Sequence, residues 1–228
     1  MRIVALEEIS TIDYPNVPSA VVYTSGCSLR CPYCYNYEMV IDPESFTELE
    51  ANEVFKKLIE LKPFIDGVVI TGGEPLIQSG LIVFVKALHR AGFKVKLDTN
   101  GMHPKELEAL IPFVDFVAMD VKTNREMFKL FTSPEDGYER MIESSDIVKM
   151  KAKDYEFRVT MVKPFISLAA MTELIHYVLA DSKKVALQRP LFDHVMYPEI
   201  EMSAPSEDEI EMYMYMLESS GVKTVIVR

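Results

Sequence analysis

The chain has three cysteines, Cys27, Cys31 and Cys34, all within the run GCSLRCPYC at residues 26–34. Positions i, i+4 and i+7 would line a helix face, but Gly26 and Pro32 favour a loop that wraps around a ligand. Three clustered thiols in a chain with no secretion signal argue against a disulfide framework and for metal binding. Zinc would need a fourth ligand. The four histidines, His89, His103, His176 and His194, lie more than fifty residues further on, whereas zinc ligands come in close pairs. A [4Fe–4S] cube usually takes four cysteines, so three leave one iron open for a substrate. A zinc site and incidental buried thiols are the plain alternatives.

Four further groups of residues could do chemistry. Gly72-Gly73-Glu74-Pro75 follows an apolar run, Asp98-Thr99-Asn100-Gly101 follows another, and Asp120 with Lys122 follows a third. Taken alone, the first is a turn, the second an Asx turn and the third a solvated pair. Arg158 lies inside an apolar stretch; a buried guanidinium is costly without a partner, so it should face an anion or a carboxylate. Gln188 and Arg189 end a later apolar run, with no role assigned.

The elements that must position these residues alternate at roughly 25-residue spacing, the rhythm of repeated β/α units. Strands are expected at 20–23, 67–70, 94–97, 116–119, 157–162, 185–187 and 222–227. Helices are expected at 50–61, with Thr47 and Glu50 as a capping box; from Pro104, which suits a first turn; and at 207–219, capped by Ser206. Continuous apolar strands suit a parallel sheet covered by helices. The cysteine loop and the three motifs each follow a successive strand, at its carboxyl end. That is the catalytic face of a β/α barrel, whereas an open sheet gathers its ligand at one switch point. The expected fold class is therefore α/β, a partial (β/α)6 TIM-like barrel with parallel strands. It forms a single domain over 1–228, with its core at about 17–190 and a C-terminal helix and strand in 191–228.

Length and composition bound the rest. The chain has 228 residues, 49% hydrophobic, a formal charge of -11, 14 Met and no Trp. That is enough for one sizeable core. The acidic balance argues against general nucleic-acid binding, which needs concentrated Lys and Arg. The longest apolar runs are too short to span a membrane, and Glu7 and Glu8 come too early for a signal peptide, so a cytoplasmic location is expected.

The Cys-x3-Cys-x2-Cys pattern resembles the signature of the radical S-adenosylmethionine (SAM) superfamily. In wider context TIDYP, GCSLRCPYC, VVITGGEP, FKVKLDTNG, VAMDVK, EFRVTMV and LQRP, spread over roughly residues 8–190, resemble the glycyl-radical-enzyme activating group. That group serves anaerobic ribonucleoside-triphosphate reductase and pyruvate formate-lyase, and the match is to the longer, barrel-containing variety of the reductase activator. The resemblance implies that Cys27, Cys31 and Cys34 hold a [4Fe–4S] cluster whose open iron takes SAM, with Tyr33 against the adenine. It assigns Gly72, Gly73 and Glu74 to the SAM amino group, and Asp98 and Thr99 to a monovalent cation near the SAM carboxylate. Asp120 and Lys122 are assigned to the SAM amino acid or ribose, and Arg158 to a place near SAM. It also implies a glycyl radical enzyme as protein substrate and an electron donor such as flavodoxin or ferredoxin. The chain departs from the pattern at Asn16, where Gly is usual, and at Tyr35, where His is usual. The match fades past Leu191, and the acidic 199–211 segment lies outside it.

Three functions fit these residues. The first is an activase that makes a 5′-deoxyadenosyl radical and takes a hydrogen from a partner's glycine. The second is a radical SAM enzyme acting on a small molecule, for which no auxiliary cluster is available because no cysteine remains. The third is a noncatalytic metal-binding module, which leaves the strand-end motifs as coincidence.

Overall fold

The computed structural model describes residues 1–131 and 134–228. One sheet runs through it in chain order: β1 (Ile3–Ser10), β2 (Ser19–Thr24), β3 (Gly67–Gly72), β4 (Lys94–Thr99), β5 (Phe116–Asp120), β6 (Tyr155–Thr160), β7 (Val185–Gln188) and β8 (Val225–Val227). β1 is antiparallel to β2, and every later neighbouring pair is parallel. Parallel neighbours need a crossover. The helices that supply it are α1 (Tyr37–Ile41), α2 (Ala51–Leu61), α3 (Leu81–Arg90), α4 (Pro104–Leu110), α5 (Arg125–Phe128), α6 (Gly137–Lys151), α7 (Leu168–Leu174) and α8 (Glu207–Ser219). The six expected β/α units are β2 to β7. β1 and β8 are the two edges of a sheet that stays open among the described residues, a partial barrel.

Side chains alternate along each strand. One set, including Val22, Ile70, Leu97, Met119, Phe157 and Leu187, packs in the large buried core with the helices. The other set faces the hollow of the half-barrel. At its amino end that hollow is filled by Tyr14 and Val17, which pack on Val21, Val69, Phe116 and Ala118. Gly67 makes room for this plug, because a Cβ there would lie 2.9 Å from Val17 and 3.0 Å from Tyr14. The TIDYP segment therefore closes the floor of the half-barrel, and the carboxyl ends of the strands remain for a site.

Several expectations need correction. β1 was not anticipated, because exposed Glu7 and Glu8 in its second half break the apolar pattern of a buried strand. β6 begins at Tyr155 and stops at Thr160; Met161, Val162, Phe165 and Ile166 continue the apolar run as a buried turn. β8 covers three residues only. α2 starts after Glu50 without a side-chain cap, so the Thr47 and Glu50 capping box does not form. Pro104 does open α4, and Ser206 caps α8 with a reciprocal box to Glu209. No helix among the described residues is long and apolar enough to cross a membrane.

Candidate functional site

The cysteine loop leaves β2 and is tied down by backbone. Gly26 N donates to Met39 O (2.8 Å), Arg30 N to Phe131 O (2.8 Å) and Tyr197 N to Pro32 O (3.1 Å). Gly73 N donates to Thr24 O and Glu74 N to Gly26 O, both at 2.8 Å, so the Gly-Gly-Glu strand end and the start of the cysteine loop lie backbone against backbone. A Cβ on Gly73 would fall 1.9 Å from Gly26 O, and one on Gly72 (φ +112) 2.2 Å from Thr24 O. Only glycine permits this approach.

Glu74 does not reach the cavity. It is fully buried beneath it and accepts from Leu76 N (3.0 Å), Thr99 Oγ1 (2.8 Å) and Asn100 N (2.7 Å). It thereby pins the Asp98–Gly101 turn, which also carries an Asx bond from Met102 N to Asn100 Oδ1 (3.0 Å). Burial raises the Glu74 carboxyl to about 7 against the pull of those donors.

A cavity of about 300 Å³ opens at the carboxyl ends of the strands. It is lined by Cys27, Cys31 and Cys34 on one side and by Gly72, Gly73, Asp98, Thr99, Asp120, Lys122 and Arg158 on the other. Of the residues that the resemblance assigned, every one except Glu74 borders it, Tyr33 included, and so do Gln188 and Arg189. The thiols are unpaired. Burial pushes Cys27 up to about 11, with Glu74 adding to the effect, and raises Cys31 and Cys34 against the pull of Lys122. These thiols are therefore protonated near neutral pH, and a metal must displace their protons. Among the described residues, no group of three or more His, Cys, Asp or Glu side chains is arranged to hold one metal ion.

Tyr33 is wedged between Phe131 and Phe165, both ring centres at 5.8 Å. Its buried hydroxyl has no hydrogen-bond partner among the described residues. Such an orphan is costly unless a ligand or water completes it.

The opposite wall carries a row of alternating charge. Lys96 is bonded to Asp98 Oδ1, and Arg158 Nη1 donates to Asp98 Oδ2 (2.7 Å). Arg158 Nε donates to Asp120 Oδ1 (2.7 Å), and Lys122 Nζ to Asp120 Oδ2 (3.0 Å). Burial alone would raise both carboxyls, but Arg158 together with Lys96 and Lys122 holds them below the usual carboxylate range. One member of the site, Lys96, and one contact of Asn100 were missed from the sequence. Lys96, 3% exposed, stands two residues before Asp98 and so on the same strand face, a spacing that would have revealed it. Asn100 Nδ2 donates to Cys27 Sγ (3.4 Å), a contact across 73 residues that no local pattern signals.

A protein of Methanocaldococcus jannaschii provisionally assigned as a glycyl-radical enzyme activating enzyme is 37% identical over 162 residues, 68% of this chain and 66% of the relative. The pyruvate formate-lyase-activating enzyme of Clostridium pasteurianum is 33% identical over 131 residues, 53% of this chain and 52% of the relative. This chain thus spans about half to two thirds of the curated relatives it matches. Streptococcus suis SuiB bound to S-adenosylmethionine shares the fold, with a TM-score of 0.65 at 13% identity over 91% of this chain and 49% of that one. The family model of the radical SAM superfamily matches residues 21–177, well over half of the length, and the chain belongs to that superfamily of enzymes, which work with a [4Fe–4S] cluster and SAM.

Proposed function

We propose that Cys27, Cys31 and Cys34 hold a [4Fe–4S] cluster, that SAM occupies the cavity beside it, and that the chain installs a glycyl radical on a partner enzyme. The observation that carries this reading is one cavity with three unpaired thiols on one wall and a charged strand-end row on the other. The donor set fits a cluster: the three free thiols border one cavity, and three cysteine ligands would leave one iron open for SAM. When bound, the cluster supplies the electron that splits SAM into methionine and a 5′-deoxyadenosyl radical, which takes a hydrogen atom from the substrate.

The chain's own residues bind and orient. Lys122, held by Asp120, offers donors to the carboxylate of the SAM methionine. Gly72 and Gly73 bring backbone to the same end, with Glu74 as the positioning residue beneath. Tyr33 borders the cavity, packed between Phe131 and Phe165. The ordered TIDYP and LDTNG motifs, and relatives named for glycyl-radical activation, support a glycyl radical enzyme as substrate; anaerobic ribonucleotide reductase is the partner the motifs favour. The electron donor of this reading is a flavodoxin or ferredoxin.

The test is anaerobic. Reconstitute with iron and sulfide, add SAM and dithionite, and quantify 5′-deoxyadenosine for wild type and Cys31→Ala. Wild type forms product and the variant falls to background. Product from neither, at full iron loading and with SAM bound, would sink the reading. Radical transfer to a metabolite with no protein partner would keep the cofactor chemistry and replace the activase role.

A further inference from the structure

We propose that Arg158 is a built-in cation, holding Asp98 and Asp120 in the place that the family resemblance gives to a monovalent metal ion, so that SAM binding does not depend on alkali metal. This rests on the reading of the cavity as a SAM site. The residues to which an ion was assigned, Asp98 and Thr99, do not fit one, and neither does the neighbouring Asp120. All four oxygens of the two carboxylates are engaged: Asp98 by Lys96 and Arg158, Asp120 by Arg158 and Lys122. Thr99 Oγ1 donates to Glu74 and accepts from Gly101 N (3.1 Å), so its hydroxyl is turned to the turn beneath and is not free for a metal.

The strand register explains how one guanidinium reaches both carboxylates. Asp120 and Arg158 are direct neighbours on β5 and β6, while Asp98 is two strands away and stands beside Ala118. Ala118, Asp120 and Arg158 share the hollow face, and alanine at the crossing leaves the long side chain a path to Asp98. The planar fork of arginine can donate to two carboxylates from Nε and Nη1 at once, which an ammonium on a lysine stem cannot do as well. The row reads Lys96, Asp98, Arg158, Asp120, Lys122, plus and minus alternating, with one positive charge in excess. A further metal ion between the carboxylates would meet that excess and the guanidinium itself. The same excess suits the carboxylate of an amino-acid ligand.

The experiment measures SAM affinity of the reconstituted protein by equilibrium binding at constant ionic strength in sodium, potassium and choline chloride. It also follows the thermal midpoint of the cluster-free protein in the same salts. Equal affinity in all three salts supports the proposal. An affinity roughly tenfold or more higher in sodium or potassium than in choline overturns it. Absence of SAM binding in every salt would defeat the functional reading instead. The thermal midpoints then decide: no difference between salts supports the built-in cation, and stabilisation by one alkali ion over choline overturns it. Arg158→Ala supplies the complementary arm. Its SAM affinity falls, and it recovers on adding millimolar guanidinium, sodium or potassium, which a purely structural role would not produce. If Arg158→Ala fails to fold, Arg158→Lys keeps the charge but not the fork, and a gain of alkali-metal dependence in that variant is the supporting result. A loss of affinity that no added cation restores counts against the proposal.

Discussion

Strand β6 presents two charges to the hollow of the half-barrel, two residues apart and oppositely surrounded. Glu156, 1% exposed, takes a bidentate pair from Arg228 (2.9 and 3.0 Å) and a bond from Lys184 (3.0 Å). Arg158 stands between Asp98 and Asp120. Each is one buried charge between two of opposite sign. The outer partners differ: the Arg228 and Lys184 side chains are 42% and 24% exposed and reach toward water, while Asp98 and Asp120 border the cavity. The Glu156 cluster ties β6 to the last residue of the chain. The Arg158 row builds the wall of a site. A buried charge is thus not by itself a sign of function; what its partners face decides.

The largest effect in this comparison is expected from Arg158→Ala. Removing the shared guanidinium leaves two largely buried carboxylates with one lysine each, at a cost of about 3–5 kcal/mol, read as a lower urea midpoint by far-ultraviolet circular dichroism. An unchanged midpoint would dissolve the distinction between the two clusters. Glu156→Gln should cost less, about 1–3 kcal/mol, since Arg228 and Lys184 can turn to solvent, and it should leave 5′-deoxyadenosine formation at the wild-type rate. If that variant lost product formation while keeping its fold, the Glu156 cluster would belong to the site after all.

Acid sharpens the same contrast. Burial would raise the Glu156 carboxyl, but the bonds from Arg228 and Lys184 bring it below its ordinary 4.5. A depressed folded value means that the stabilisation is complete above 4.5 and disappears as pH falls through the folded value. The stability gap between wild type and Glu156→Gln should therefore be widest at neutral pH and close below pH 4.5; a gap independent of pH would show that packing, not charge, makes the difference. The smallest effect concerns Glu74, a further buried carboxylate, held by neutral donors alone. Thr99→Val removes one of its three donors, costs about 1 kcal/mol, and should raise the Glu74 carboxyl above its value near 7, as carbonyl-region infrared spectroscopy would detect.

The parallel strands β2 to β7 were legible because buried β strands read as short apolar runs, and the candidate site was legible because its residues sit just past those runs. The cysteine triad, the Gly-Gly-Glu end, Asp98, Asp120, Lys122 and Arg158 all declared themselves as residues that apolar strand ends do not otherwise carry. β1 was not legible: as an edge strand it carries adjacent exposed Glu7 and Glu8 and so resembles a terminal loop. The end of β6 was misplaced because a buried turn is as apolar as a strand.

The sequence by itself determined the donor chemistry and the order of the units, since thiol spacing and local periodicity are properties of neighbouring residues. It also required some anion for Arg158, because an unpaired buried guanidinium is prohibitive. Only the tertiary structure decided which anion. Asp98 lies 60 residues from Arg158 and Asp120 lies 38, and no local pattern reports a contact made by strand register. The same holds for the plug of Tyr14 and Val17 at the floor, for Glu74 beneath the cavity rather than in it, and for the match of Gly73 to Gly26. In each, two segments distant in the chain meet because parallel pairing through the helical crossovers stacks their strand ends side by side.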